Sequence, residues 1–417
     1  MILLALSFGV VAFGLAWRRP AWGGLAVVAL LPAYQLRFAV GGLPTTVLEV
    51  VLLGACCGAF LHWFQARSAW PALGNALPWV AGVWVVIGLF GMWVAADQRA
   101  ALGLWRAYFL EPVLLIPLWL AVARDAHARK MLIHVVSGQL MVFALVASGQ
   151  WLGWFHSLAP WNAEHPMRVT SLFPYPNAAA LYAAPLAALV AGGFLAFRGR
   201  ITRWERGLWI IGTFSGIVVC VLAVSRGALL GLGVAVLVAG AWSRRRVLWW
   251  GLCAAAVVAL LLVPTIRNQV TGLVSTRDTS ADVRTVLWQG TWHMLEARPL
   301  QGAGLGAFPG VYNHYRLPEH VELLQYPHNL LLNAWSELGL PGLVFTVAAL
   351  FWLSVRLFRG FRGREPWAAS ITLAWIVLVA HGLVDVPYFK NDLAVLAVLL
   401  LMLVFAQPQT ENKIPPA

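Results

Sequence analysis

At 417 residues, 61% of them hydrophobic and only 11% charged, with a mean hydropathy of +0.77, the chain is too apolar for a soluble globular protein. Its formal charge of +13 invites a nucleic-acid partner, but the cations are scattered over short loops between apolar runs, which excludes that reading.

Taken in order, the apolar runs fall near 1–17, 22–40, 45–64, 78–96, 102–123, 131–152, 176–197, 207–224, 226–242, 247–264, 336–358, 367–386 and 391–406. Each has about the length of a bilayer span, roughly 17–25 residues. The pattern predicts an all-α, polytopic integral membrane protein of about 12 transmembrane helices, 12 or 13 according to whether 1–17 crosses. A single membrane domain would then cover 1–417. A signal peptide is the alternative for 1–17, but Arg18 and Arg19 follow the apolar run instead of preceding it.

Sorting the loops by alternating sides puts 18 of the 29 Lys and Arg on one face, with only four acids beside them. The remaining 11 cations share the other side or the spans with 12 acids, a split of +14 against −1. By the positive-inside rule the Arg-rich loops, such as Arg244-Arg245-Arg246, are cytoplasmic, and so is the C-terminus. The loops 153–175 and 265–327 and the turn Ser225-Arg226-Gly227 fall on the outer side. The basic excess therefore describes topology, not a nucleic-acid partner.

Cys56, Cys57, Cys220 and Cys253 all lie within apolar runs and read as small buried hydrophobes. No Cys/His spacing fits zinc, and no phosphate-binding loop or cofactor motif is present, so neither a metal nor a cofactor is expected.

The polar residues of the outer side carry the chemistry. In Met167–Asn177 the only charge is Arg168, and Asn177 could cap the following helix. Arg226 stands between two apolar runs, where a charge is costly unless it is functional or snorkels to headgroups. Arg284 opens the amphipathic stretch 282–296. At helical spacing it shares a stripe with Trp288, Trp292 and Leu295, on a helix that lies at the outer surface or roofs a cavity. The turn 298–306 has three alternate glycines whose N–H groups could cradle phosphate, although it follows a helix instead of opening one. For Arg37, Arg99 and Arg106 the expected counter-charges include Glu49, Glu111, Glu337 and Asp385.

The most informative run is Tyr326-Pro-His-Asn-Leu330 through Gly342. Pro327 suits the first turn of a helix, and His328 and Asn329 would sit against its free N–H groups. Gly339 and Pro341 stop that helix about three turns later. Arginine forks bind phosphate oxygens bidentately. A histidine held neutral by the helix N-terminus could accept a proton from an attacking hydroxyl. No glycosidase-like carboxylate pair appears, so transfer is more natural than hydrolysis.

Together these residues resemble the bacterial O-antigen ligases, a family whose signature is shared by some polysaccharide polymerases and protein O-oligosaccharyltransferases. The resemblance spans 168–385. It rests on Arg226-x-x-x-Leu230, on Arg284-Thr-Val-Leu-Trp288, on Pro299 to Gly306, on His328-Asn329 followed by Gly339-x-x-Gly342, and on Asp385. It implies a fold similar to the GT-C glycosyltransferases and metal-independent transfer of polysaccharide from undecaprenyl diphosphate to lipid A–core, at the periplasmic face of the inner membrane. It also implies roles: His328 as base, Arg226 and Arg284 on the donor diphosphate with Arg168 as helper, and Asn329 and Asp385 in support. A polymerase, a protein O-oligosaccharyltransferase and a transporter without covalent chemistry are the alternatives. The first half of the chain carries no matching motif.

Overall fold

The computed structural model describes residues 1–66, 76–164, 167–197, 199–242, 247, 250–251, 279–319, 324–362 and 366–405. It is a helical bundle whose only described sheet is one two-stranded hairpin. The helices are α1 (Ile2–Arg18), α2 (Pro20–Ala29), α3 (Val47–Gln65), α4 (Leu77–Val94), α5 (Gln98–Trp105), α6 (Glu111–Leu114), α7 (Ile116–Arg124), α8 (Ala126–Trp151), α9 (Pro176–Ala196), α10 (Arg203–Leu222), α11 (Arg226–Trp242), α12 (Thr279–Ala297), α13 (Phe308–Tyr312), α14 (Leu330–Arg362), α15 (Pro366–Gly382) and α16 (Asn391–Phe405).

Seven described helical segments are long and apolar enough to cross a bilayer: α3, α4, the joined stretch Gln98–Arg124, α8, α9, α10 and α14. Five shorter apolar helices accompany them, namely α1, α2, α11, α15 and α16. The chain is thus a multi-pass membrane protein. The span expected at 247–264 lies almost wholly outside the described residues.

One expected span is overturned. Instead of a helix across 22–40, α2 ends at Ala29 and gives way to a tight turn over Leu31–Gln35 and the strand β1 (Arg37–Val40), which pairs with β2 (Leu43–Thr46). Ten residues of α-helix reach only about 15 Å, half a hydrocarbon core. The punctuation is chemical: Pro32 has no N–H, and Gly41-Gly42 takes positive φ at both positions (58° and 79°), as a two-residue hairpin turn requires.

Close packing rests on small residues, because apolar side chains gain nothing by leaving lipid for one another. Along α3, Gly54 and Gly58 form a GxxxG face on which the backbone carbonyls of Gly9 and Phe13 in α1 sit where a Cβ would be. Alanine-rich α9 is buried on nearly all sides and forms the central post, with α10 and α15 against it. Pro185 lies within it.

α14 is the element that positions the site. It opens with the short stretch Leu330–Leu338, breaks at Gly339 (φ 68°, ψ −169°) and then continues to Arg362. The expected stop at Gly339 is therefore present as a break in direction. Only glycine fits there: φ is positive, and the carbonyl of Leu300 occupies the place of a side chain. Leu340 donates its N–H to that same carbonyl at 3.1 Å.

Candidate active site

Among the described residues, three that are not glycine have a left-handed backbone: Ser171, Val224 and His328, at φ 51°, 50° and 47°. For a β-branched residue such as Val224 this is costly, and strain of this kind gathers at functional sites. All three lie in the loops that bring Arg168, Arg226 and His328 together.

His328 precedes its helix and does not belong to it. Asn329 is the cap: its Oδ1 accepts from the N–H of Leu331 (3.0 Å) and of Leu332 (3.1 Å). Pro327 thus stands outside the first turn, and the amides expected to face an anion are already spent on Asn329. The Asn329 Nδ2 donates to the carbonyl of Leu383 at 3.0 Å, tying the start of α14 to the loop that carries Asp385.

Across that tie, His328 Nδ1 lies 3.3 Å from Asp385 Oδ1. The carboxylate is 1% exposed, and the same oxygen accepts the Val386 N–H at 2.8 Å. The imidazole and carboxylate are in electrostatic contact without a well-aligned hydrogen bond, since Nδ1 has no aligned partner. Burial would raise the Asp385 carboxyl, but the His328 contact, Lys390 and His381 outweigh it and hold the group below the usual carboxylate range. A carboxylate, instead of a helix end, is therefore the group that acts on His328. With Nδ1 turned to Asp385, Nε2 is the nitrogen left to face a reactant.

The other face of the imidazole is aromatic. The Tyr326 ring centroid is 4.4 Å from that of His328, and the Tyr326 hydroxyl meets that of Tyr175 at 3.0 Å. Lys390 completes this wall, its Nζ 4.5 Å above the Tyr175 ring and 5.7 Å from that of Tyr326. The ammonium is shielded from solvent and has no hydrogen-bond partner, so ring faces and the nearby carboxylates stabilise it. Neither Lys390 nor His381 was singled out by the sequence, where no motif marks them.

The arginines converge from three elements. Arg226 is the first residue of α11, behind buried Ser225. Gly227 is needed beside it, because a Cβ there would meet His381 Cδ2 and Val384 Cγ2 at 2.7 Å. Arg284 is half-buried near the start of α12. One turn later Trp288 donates its indole N–H to the carbonyl of Pro327 at 2.8 Å, which fixes α12 against the His328 loop. The expected stripe is partly wrong: Leu287, Thr291, Met294 and Leu295 form the buried face, and Trp292 is 50% exposed, its indole N–H bonded to Glu296.

Arg168 is held by its own chain. Its Nε donates to the Ala223 carbonyl (3.0 Å) and its Nη2 to Asn177 Oδ1 (2.9 Å). Glu164 is 3.9 Å from Nη1, and the guanidinium lies over Trp161. Asn177 is thus an acceptor for Arg168 and not a helix cap. Burial lowers the Arg168 pKa; Glu164 opposes that, the positive charges of Arg284 and Arg226 add to it, and Asp385 opposes it too. Arg168 thus feels the charges of Glu164, Arg284, Arg226 and Asp385 together. Arg168 braces the turn that presents Arg226.

The glycine turn does not cradle an anion. The N–H groups of Ala303 and Gly304 go to the Ser336 carbonyl (2.7 and 3.2 Å), that of Leu305 goes to Gly91 at 2.9 Å, and that of Gly306 goes to the Glu337 carboxylate. Among the expected counter-charges, Glu49 and Glu111 pair with Arg106 at 2.8 and 3.3 Å.

The arrangement sets a histidine against a buried carboxylate, with Arg168 subject to the charges of Arg226, Arg284 and that carboxylate. No curated protein was found to match the chain. Residues 211–347, which include Arg226, Arg284, His328 and Asn329, match the family model described as O-antigen ligase.

Proposed function

We propose that the chain is an O-antigen ligase with a GT-C-like bundle, moving polysaccharide from undecaprenyl diphosphate to lipid A–core at the periplasmic face of the inner membrane. The observation that carries this reading is the His328–Asp385 contact beside Arg226 and Arg284. The acceptor hydroxyl oxygen attacks the anomeric carbon of the donor. The bond from that carbon to the diphosphate oxygen breaks, and its electron pair leaves with the diphosphate. The hydroxyl proton passes to His328 Nε2, and Asp385 stabilises the imidazolium that forms. Arg226 and Arg284 meet the charge that grows on the departing diphosphate, which is electrostatic catalysis. Arg168 holds the turn behind Arg226. A polymerase would use the same donor and the same chemistry with a lipid-linked acceptor.

The lipopolysaccharide gel profile of a deletion strain separates these readings. A lost ladder with accumulated lipid-linked polymer is expected. Capping by a single repeat would make the protein a polymerase, and a normal ladder with altered pilin mass would make it a protein O-oligosaccharyltransferase.

For the base, His328→Ala is expected to lower transfer by roughly 10²–10⁴-fold at unchanged membrane level. Asp385→Asn should lose a comparable factor, because the amide cannot stabilise the imidazolium. Ligated product per unit of protein decides it, and near-normal transfer by well-expressed His328→Ala would refute the assignment.

Lysine keeps the charge of arginine but lacks its planar pair of donors. Arg226→Lys and Arg284→Lys are therefore expected to cut donor consumption strongly, with alanine worse and the double loss less than additive. Arg359→Lys, on the cytoplasmic side by the loop charges, should be nearly silent. Equal tolerance at all three positions would reduce Arg226 and Arg284 to interfacial anchors.

Because guanidinium groups supply the positive charge that a divalent ion supplies elsewhere, transfer in vitro is expected to persist in EDTA. Complete loss, restored by magnesium or manganese, would overturn this.

A further inference from the structure

A cleft and a groove adjoin α4, and neither is lined by Arg168, Arg226, Arg284 or His328. The groove, about 720 Å³, is lined only by apolar side chains: Val83, Ile87 and Phe90 of α4 face Leu340, Val344 and Phe345 of α14, with Leu300 at its end. These positions recur at helical spacing, so one face of each helix forms a wall. Just past the end of α4, at Ala96 and Asp97, a second cavity of about 740 Å³ begins. Its lining includes Asp97, Arg298, Leu104, His314 and Tyr315. That mixture of an aromatic ring with donors and acceptors suits a hydroxyl-rich group, whereas the groove suits hydrocarbon.

The segment 298–306 separates the two spaces and is firmly held. Beyond the amide bonds of Ala303 to Gly306, the indole N–H of Trp335 donates to the Pro299 carbonyl at 2.7 Å. Arg298 Nε donates to the Gly302 carbonyl at 2.7 Å. Gly302, Gly304 and Gly306 take φ of 63°, 92° and 73°, which lets this loop lie flush against Ser336, Ala95 and Leu104. The cavities are therefore preformed.

Their position relative to the base is set by one element. His328 and the arginines stand at the start of Leu330–Leu338, while the glycine loop is fastened to Ser336 and Glu337 at its other end. Eight steps of helix separate these ends by about 12 Å. A transfer between two lipid-borne substrates needs two lipid sites, and the arginines are committed to the diphosphate of one.

We propose that the groove and cleft seat the other substrate, a lipid-anchored oligosaccharide acceptor. Its hydrocarbon lies between α4 and α14, and its sugars lie in the cleft, with the reacting hydroxyl reaching along Leu330–Leu338 toward His328. This rests on the glycosyl-transfer reading given above and names where its acceptor binds.

The test uses purified full-length protein with donor and either purified lipid A–core or a polyprenyl diphosphate-linked oligosaccharide as acceptor. Two variants probe the two spaces: the double change His314→Ala with Tyr315→Ala, and Val344→Trp, which fills the groove from its lipid-exposed wall. Each is expected to raise the acceptor KM about tenfold, the loss of roughly one good contact, while donor KM and kcat at saturating acceptor stay within about twofold. An unchanged acceptor KM in both variants, or a rise in donor KM instead, would overturn the proposal. The ligase reading is judged separately: if wild-type protein extends only the polyprenyl-linked acceptor, that reading fails, and the cleft is judged by the same KM shift measured with that acceptor. If neither acceptor is used by wild-type protein, both fail together.

Discussion

The site hangs on Asn329. One side chain closes the first turn of α14 through two backbone amides and reaches the carbonyl of Leu383. That bridge sets the distance between a histidine and a carboxylate that lie 57 positions apart in sequence. Without it the amides of Leu331 and Leu332 would be left without partners, and the loop carrying Asp385 would lose its registration against His328. The left-handed backbone at His328 belongs to the same arrangement: the chain must turn sharply to place an imidazole outside a helix that Asn329 begins.

Around this joint the protein balances charge against burial. Asp385 has almost no contact with water, and a lone carboxylate there would be neutral. His328, Lys390 and His381 lie around it, and together they offset the effect of burial and hold its carboxyl below the usual range. Lys390 in turn has no hydrogen-bond partner for its Nζ, which lies against two tyrosine faces. Strong interactions between buried groups of this kind fix a local field in advance, which under the proposed transfer would leave little reorganisation to be made.

What could be read from the sequence was what has a local cause. Membrane-length runs, the break at Gly339, the helix through Arg284 and the pairing of Arg106 with Glu49 and Glu111 follow from periodicity, composition and charge. The half-length α2 escaped because the residues of 31–40 are themselves apolar, and only Pro32 and Gly41-Gly42 betray the turn. The part of Arg168 escaped because its partner is a backbone carbonyl of residue 223, which no side-chain pattern announces. Lys390 and His381 escaped for a related reason: their meaning comes from neighbours such as Tyr175 and Gly227, brought up by other elements. The glycine loop was misread in the same way, since its amides were legible but their acceptors, Ser336 and Glu337, were not.

The break at Gly339 also separates two mechanical tasks. Helices in a bilayer tilt to match its thickness, and a straight α14 would swing its first turn, with His328, whenever the membrane changed. Here the membrane-crossing part starts anew at Leu340, while Leu330–Leu338 is fastened to Leu383, to the 298–306 segment and, through Pro327, to Trp288. A change of tilt can then be taken up at a residue without a side chain, and His328 keeps its place relative to Asp385. The geometry of that pair is thereby insulated from the thickness of the lipid around it.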